Sequence, residues 1–234
     1  MAVIQVESPL MRDDGGKLTL LEALELANGV NKAAARRCSQ AISGDLERDE
    51  EIEIRLSCKE EELTVPSCET LSSALPPLCS QKRVVIDGQG KRLLGEGTGC
   101  GLVISSGGVK RRRFSLSCFS VGTFLTQGRQ SIDDVTIEEC SFDEMTHACI
   151  LAGMTESNLT LSHVTVQDCR MQAPSRARKR GPCTAMLLSA VLDWRGNISL
   201  RGVSMRELLI RRNVIHAHPD AGCFSEGINI FTTC

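Results

Sequence analysis

Aromatic residues are nearly missing from this chain. They make up 3% of 234 residues, and tyrosine is absent altogether. Any core must therefore be aliphatic, built from Val, Ile, Leu and Cys, which pack well in strands and stacked layers. No run of 18 apolar residues occurs, so no segment reads as a membrane-spanning helix. The net charge of −2 gives no overall case for nucleic acid. The opening "MAVIQVESPLMRDDGG" has no basic segment followed by a long apolar run and does not read as a signal peptide. The expectation is either an intracellular protein or part of a longer chain whose export signal lies elsewhere. No P-loop, G-x-G-x-x-G motif or serine nucleophile elbow is present.

Cysteine, by contrast, is abundant. There are 12, at 38, 58, 68, 79, 100, 118, 140, 149, 169, 183, 223 and 234. None forms a C-x-x-C pair, which argues against zinc ribbons and thioredoxin-like sites. An even count fits disulfides in an oxidising compartment. Buried free thiols fit equally well, because free Cys is among the most buried residue types.

The segment Asp134–Phe142, "DVTIEECSF", alternates apolar and polar residues, breaks for two, and alternates again. Val135, Ile137, Cys140 and Phe142 fall at positions one, three, six and eight. Leu159–Val166, Ile198–Met205 and Phe114–Val121 show the same pattern, and Val84–Gly90 is a degenerate copy. The starts lie at 84, 114, 135, 159 and 198. Second apolar clusters follow at Leu102–Ile104, Phe124–Leu125, Ala148–Leu151 and Ala185–Leu188, separated by turn-forming residues. Units of this length that cannot bury an apolar face alone indicate a solenoid. A β-sandwich also has many short strands, but it has no reason to reuse one pattern with its break in the same place. The pattern predicts an all-β chain, a parallel β-helix. Leu18 to Ala27 shows helical spacing ended by Asn28-Gly29 and predicts a short helical cap. Residues 1–50 read as an N-terminal strand and cap, and 51–234 as rungs of one domain.

"GGKLTLLEALELANG", then "EIEIRL", "LTVP" and "VVIDGQGKRLLGEG", resemble the start of right-handed parallel β-helix proteins of the pectate-lyase-like superfamily. Leu20, Leu21, Glu22, Ala23, Leu24 and Ala27-Asn28 resemble the CSLREAI-type motif of some members, without its Cys-Ser start or its Arg. The resemblance covers most of residues 15–210. It implies a right-handed winding and says more about fold than activity.

The superfamily contains polysaccharide lyases and hydrolases, so carboxylates are the first catalytic candidates. The richest cluster is Asp133, Asp134, Glu138, Glu139, Asp143 and Glu144. The Asn-Thr-Asp, Gly-His-Gly and Arg-Ile-Lys motifs of pectin hydrolases and the Arg-x-Pro-x-x-Arg pattern of pectate lyases are absent. The plainer reading makes these acids outward residues beside a strand and its turn. Asp87 in "IDGQG" reads as a turn residue whose carboxylate bonds local backbone. His216 and His218 can share one face of a strand as two metal ligands, with Asp220 nearby. His163 falls in the two-residue break and reads as a turn residue.

The basic runs Lys110, Arg111, Arg112, Arg113 and Arg176, Arg178, Lys179, Arg180 fall where turns are expected. As loops on one side of a solenoid they can hold a polyanion. Asn158 and Asn197 begin glycosylation sequons that matter only in an exported chain. The leading expectation is a non-catalytic binding or adhesion-type module of a surface or secreted protein, recognising a glycan or protein without a cofactor. A polysaccharide lyase or glycosidase is the alternative. An intracellular scaffold, cytoplasmic or nuclear, follows if the cysteines are free. The apolar ending "CFSEGINIFTTC" adds the expectation of self-association at an open end.

Overall fold

The structure is a computed structural model that describes residues 1–9, 16–68, 73–127, 131–154, 160–175, 183–189, 204–216 and 226–231. Its strands form three sheets of eight, six and five strands. Every pairing within them is parallel, save that of Ala2–Val6 with Ile42–Ser43. From Arg83 onward the chain visits the eight-stranded (long), six-stranded and five-stranded sheets in strict rotation. One circuit is Val109–Arg112, Ser115–Ser117 and Val121–Gln127. The next is Ile132–Glu138, Ser141–Asp143 and Ala148–Met154. Stacked parallel strands in this order are consistent with a β-helix-like solenoid. All four second apolar clusters of the sequence fall in strands of the five-stranded sheet.

The two-residue break in "DVTIEECSF" is the corner between two sheets. Glu138 ends a strand of the long sheet, and Ser141 begins one of the six-stranded sheet. Glu139 between them has φ +51°, and Arg113, Asp168 and Arg212 at equivalent corners have φ +53°, +55° and +51°. A left-handed residue breaks the alternation, so Cys140 turns inward as Ile137 does. Each circuit thus has three strands where the sequence pattern suggested two.

The copies align differently from the sequence reading. Val84, Val109, Val135, Val164 and Leu208 share one column of the long sheet. Leu161 pairs with Ile132, not with Ile137, and Leu116 pairs with Phe142. A second left-handed row explains the Leu161 slip, and Cys118 (φ +64°), at the corner into the five-stranded sheet, explains that of Leu116. Asp134, His163 and Glu207, with φ +58°, +51° and +53°, kink the long sheet within its strands. This kink imitates the corner, so four-residue apolar patterns match at either place.

Helix α1 (Leu20–Ala27) begins with a capping box. The Glu22 amide donates to Thr19 Oγ1 at 3.2 Å, and the Thr19 amide donates to Glu22 Oε2 at 3.1 Å. Its Leu20, Ala23, Leu24 and Ala27 join the same buried core as Ile4, Ile54 and Leu56. Helix α2 (Lys32–Arg37) follows, and its Arg37 pairs with Glu22. At the other end, Leu209, Val214, Ile215, Ile228 and Ile230 are exposed on the last described strands.

The corner predicts a sharp substitution test. Glu139→Val, a β-branched residue at φ +51°, is expected to lower unfolding free energy by about 1–2 kcal/mol, and Glu139→Gly to leave it unchanged or higher. Urea unfolding of the two variants measures the difference.

Candidate functional site

Alternation sends every second side chain of the long sheet outward, and in-register stacking groups them into rows. Two clusters result. In the first, Asp133 Oδ1 lies 2.6 Å from His163 Nδ1, and His163 Nε2 lies 2.7 Å from Glu207 Oε2. Ser162 Oγ donates to Asp133 Oδ1 at 2.7 Å. Beside them Arg83 pairs with Asp134 at 3.2 Å. The hydrogen bond from His163, then that from Ser162, holds the Asp133 carboxyl below its ordinary range. Asp133 and Glu207 in turn raise the His163 imidazole. Both ring nitrogens face carboxylates, so the imidazole bridges the two acids and has no nitrogen left for a substrate.

The second cluster is more enclosed. Glu53 and Asp87 are 3% and 1% exposed on the outer side of the sheet. Arg55 pairs with Glu53 at 2.6 Å. Arg112 reaches Glu53 at 3.2 Å and Asp87 at 3.0 Å, and Arg113 also pairs with Asp87. The Gln89 amide donates to Asp87 Oδ1 at 3.0 Å, the local turn bond expected of "IDGQG". Burial pushes the Asp87 carboxyl up, but Arg113, the Gln89 amide and Arg112 outweigh it and hold the group below its ordinary value.

The basic run 110–113 therefore departs from expectation. It is not a loop: Val109–Arg112 is a strand, and period-two alternation separates its charges. Lys110 points outward and pairs with Glu138 at 2.6 Å. Arg112 and Arg113 are held by the acids just described. Arg111 points inward and is 0% exposed.

The acidic candidates do not gather either. Asp133, Asp134 and Glu138 are spread along one strand, and Asp143 lies in the six-stranded sheet. Glu138 accepts from Gln167 at 3.0 Å as well as pairing with Lys110. A groove of about 90 Å³ on the outer face is lined by Glu51, Arg83, Lys110 and Asp134 among others. It brings two carboxylates together, but two cations share it, and it is far below the ~300 Å³ of a small-molecule site. His216 is exposed at the end of Val214–His216. Among the described residues no group of three metal-ligating side chains forms. Arg176, Arg178, Lys179, Arg180, Asn158, Asn197, His218 and Asp220 lie outside the described residues.

The role of His163 is not legible in the sequence, because its break has the same apolar spacing as the corner. The signal was present: Asp134, His163 and Glu207 all follow a polar residue and precede an inward aliphatic one. No helix among the described residues is long and apolar enough to cross a membrane. No family model matches the chain, and neither does a curated protein or a solved structure.

Two tests follow from the clusters. Asp87→Ala removes the partner that Arg112 and Arg113 share, while Arg112 keeps Glu53, and is expected to cost about 1–2 kcal/mol in urea unfolding at pH 7. His163 has a raised folded pKa, so its contribution is complete below about 6.5 and lost as pH rises through that folded value. Asp133 has a lowered one, so its share is present above about 3.8 and lost on acidification through its folded value. His163→Gln is therefore expected to lower Tm at pH 5.5 and to leave it unchanged at pH 9, read by thermal melts at both.

Proposed function

We propose that this chain is a right-handed parallel β-helix of the pectate-lyase-like kind that acts as a non-catalytic binding module. Its outer long sheet meets a glycan or protein partner. The observation that carries this reading is the pairing of charges on that sheet. Wherever described carboxylates come close there, a basic side chain stands with them: His163 between Asp133 and Glu207, and Arg112 between Glu53 and Asp87. Glycoside hydrolysis needs an acid and a base free to act on one bond, and a lyase needs a free base. A face of paired charges offers directional hydrogen bonds without either. It also takes support from a polyanion at Lys110, Arg112 and Arg113, whose charges are already matched.

A second reading, an intracellular interaction scaffold, draws on a different observation. Cys38, Cys58, Cys100, Cys118, Cys140, Cys149 and Cys169 are buried free thiols, and Cys79 is an exposed one. Such thiols suit a reducing compartment, whereas an exported chain of this composition would be expected to use disulfides.

Glycan-array binding and partner capture, run beside lyase and glycosidase assays on the same polysaccharides, test the proposal. The expected outcome is binding that leaves the polymer intact and weakens when the Asp133–His163–Glu207 row is replaced by alanine. Release of unsaturated or reducing ends, abolished in Asp133→Asn, would overturn it in favour of an enzyme. Intact mass with and without alkylation, on protein from its native source, separates the two compartments: twelve free thiols favour the scaffold.

A further inference from the structure

The end of helix α1 leaves a valine uncovered. The Gly29 amide donates to the Leu26 carbonyl and the Val30 amide to that of Glu25, both at 2.9 Å. Gly29 has φ +79°. This is a Schellman motif, in which the residue after the glycine ordinarily packs on an apolar side chain about one turn back. Here that side chain is Glu25, which accepts from Asn31 Nδ2 at 2.5 Å. Val30 therefore stays 53% exposed. Apart from Met1 and the last described strands, it is the one exposed large hydrophobic among the described residues.

Val30 lines a groove of about 580 Å³ between α1, α2 and the turn 45–49. Leu26, Ala35 and Leu46 complete its apolar lining. A smaller hollow of about 190 Å³ touches the same Leu26 and Leu46 and extends to Ile52. Unlike the hollow on the long sheet, the groove falls within the ~300–1,000 Å³ of small-molecule sites.

Hydrogen bonds fix its walls. Asn31 Oδ1 caps α2 by accepting from the Ala34 amide at 3.2 Å, while its Nδ2 holds α1 through Glu25. Asn28 Nδ2 donates to the Pro77 carbonyl at 2.8 Å, and Asn28 Oδ1 accepts from the Cys79 amide at 2.9 Å. The Lys82 ammonium donates to the carbonyls of Leu46, Glu47 and Asp49 at 2.6, 2.8 and 2.8 Å. The groove is thus preformed, and a ligand is spared the cost of ordering it.

Its charge is one-sided. Lys32, Arg36 and Lys82 line it, against the single carboxylate of Glu47. Lys82 is committed to the turn. Lys32 pairs with Glu47 at 2.9 Å and joins α2 to the turn, but the two side chains are 74% and 77% exposed, so water exchanges with the pair readily. Arg36 lies one helical turn beyond Lys32, is exposed, and pairs with no carboxylate among the described residues.

We propose that this groove is a binding site for a long-chain aliphatic carboxylate. It uses none of the charged residues that carry the binding function above, so either can fail without the other. The tail lies along Leu26, Val30, Ala35 and Leu46. The carboxylate meets Arg36, whose planar fork donates two parallel hydrogen bonds to it. One unpaired cation suits a monoanion rather than a dianionic phosphate. No aromatic ring is among the described lining residues, so a planar ring system finds nothing to stack on. The Lys32–Glu47 pair acts as a strap. Glu47 competes with the ligand for Lys32, and once Glu47 is displaced Lys32 supplies a second donor.

Isothermal titration of the full chain with decanoate, kept below its micelle threshold, tests this. Decanol and protonated decylamine are the neutral and cationic probes of the same length. The expected outcome is one saturable decanoate site, with decanol bound at least ~10-fold more weakly and decylamine not detectably. Arg36→Gln should weaken decanoate at least ~10-fold and leave decanol unchanged. Val30→Ser should weaken both alike, and Glu47→Gln should tighten decanoate. All three side chains are exposed, so these variants are expected to fold. Equal affinity for decanoate and decanol, or wild-type affinity in Arg36→Gln, would overturn the proposal. So would the absence of saturable binding, or binding that Val30→Ser leaves unchanged, the result expected of adsorption to the exposed last strands.

Discussion

In-register stacking of parallel strands is the constraint from which the other features follow. Each residue of one circuit sits directly over its counterpart in the next, so a choice made at one position is repeated as a row. Inward rows are aliphatic and close-packed: Val84, Val109, Val135 and Val164 in one, Leu63, Leu93, Leu116 and Phe142 in another. Outward rows place charges about 4.8 Å apart, close enough that like charges would repel and opposite ones pair. The sheet uses the second option, with Arg112 over Asp87 and Glu138 beside Lys110.

Stacking also makes conformational exceptions expensive unless they too are stacked. The left-handed residues obey this. Arg113, Glu139, Asp168 and Arg212 form one row at the corner, and Asp134, His163 and Glu207 another within the long sheet. A single left-handed residue would break the hydrogen-bond ladder on both sides. A full row bends every strand alike and leaves the ladder intact. The bend turns these side chains outward, which is how His163 comes to lie between two carboxylates.

Arg111 is the exception that is not stacked. Its neighbours above and below are isoleucines, and its partners come from elsewhere on the circuit: two rings and one hydroxyl. The core is thus specialised at one level, while the levels on either side remain ordinary hydrocarbon.

The sequence by itself determined the strand-rich parallel character, the helix ended by Asn28-Gly29 and the turn role of Asp87. These depend on local alternation, capping and turn chemistry, which a few neighbouring residues specify. It also showed that a two-residue break recurs. Only the tertiary structure decided which break was a corner and which a kink, because both produce the same apolar spacing and differ only in the strand that lies alongside. For the same reason the basic run 110–113 looked like one cationic patch. Pairing with Val84–Asp87 and Val135–Glu138 divided it into an outward lysine, two arginines bound to buried acids, and one arginine in the core. Charge can be read from composition, but its availability depends on neighbours distant in the chain.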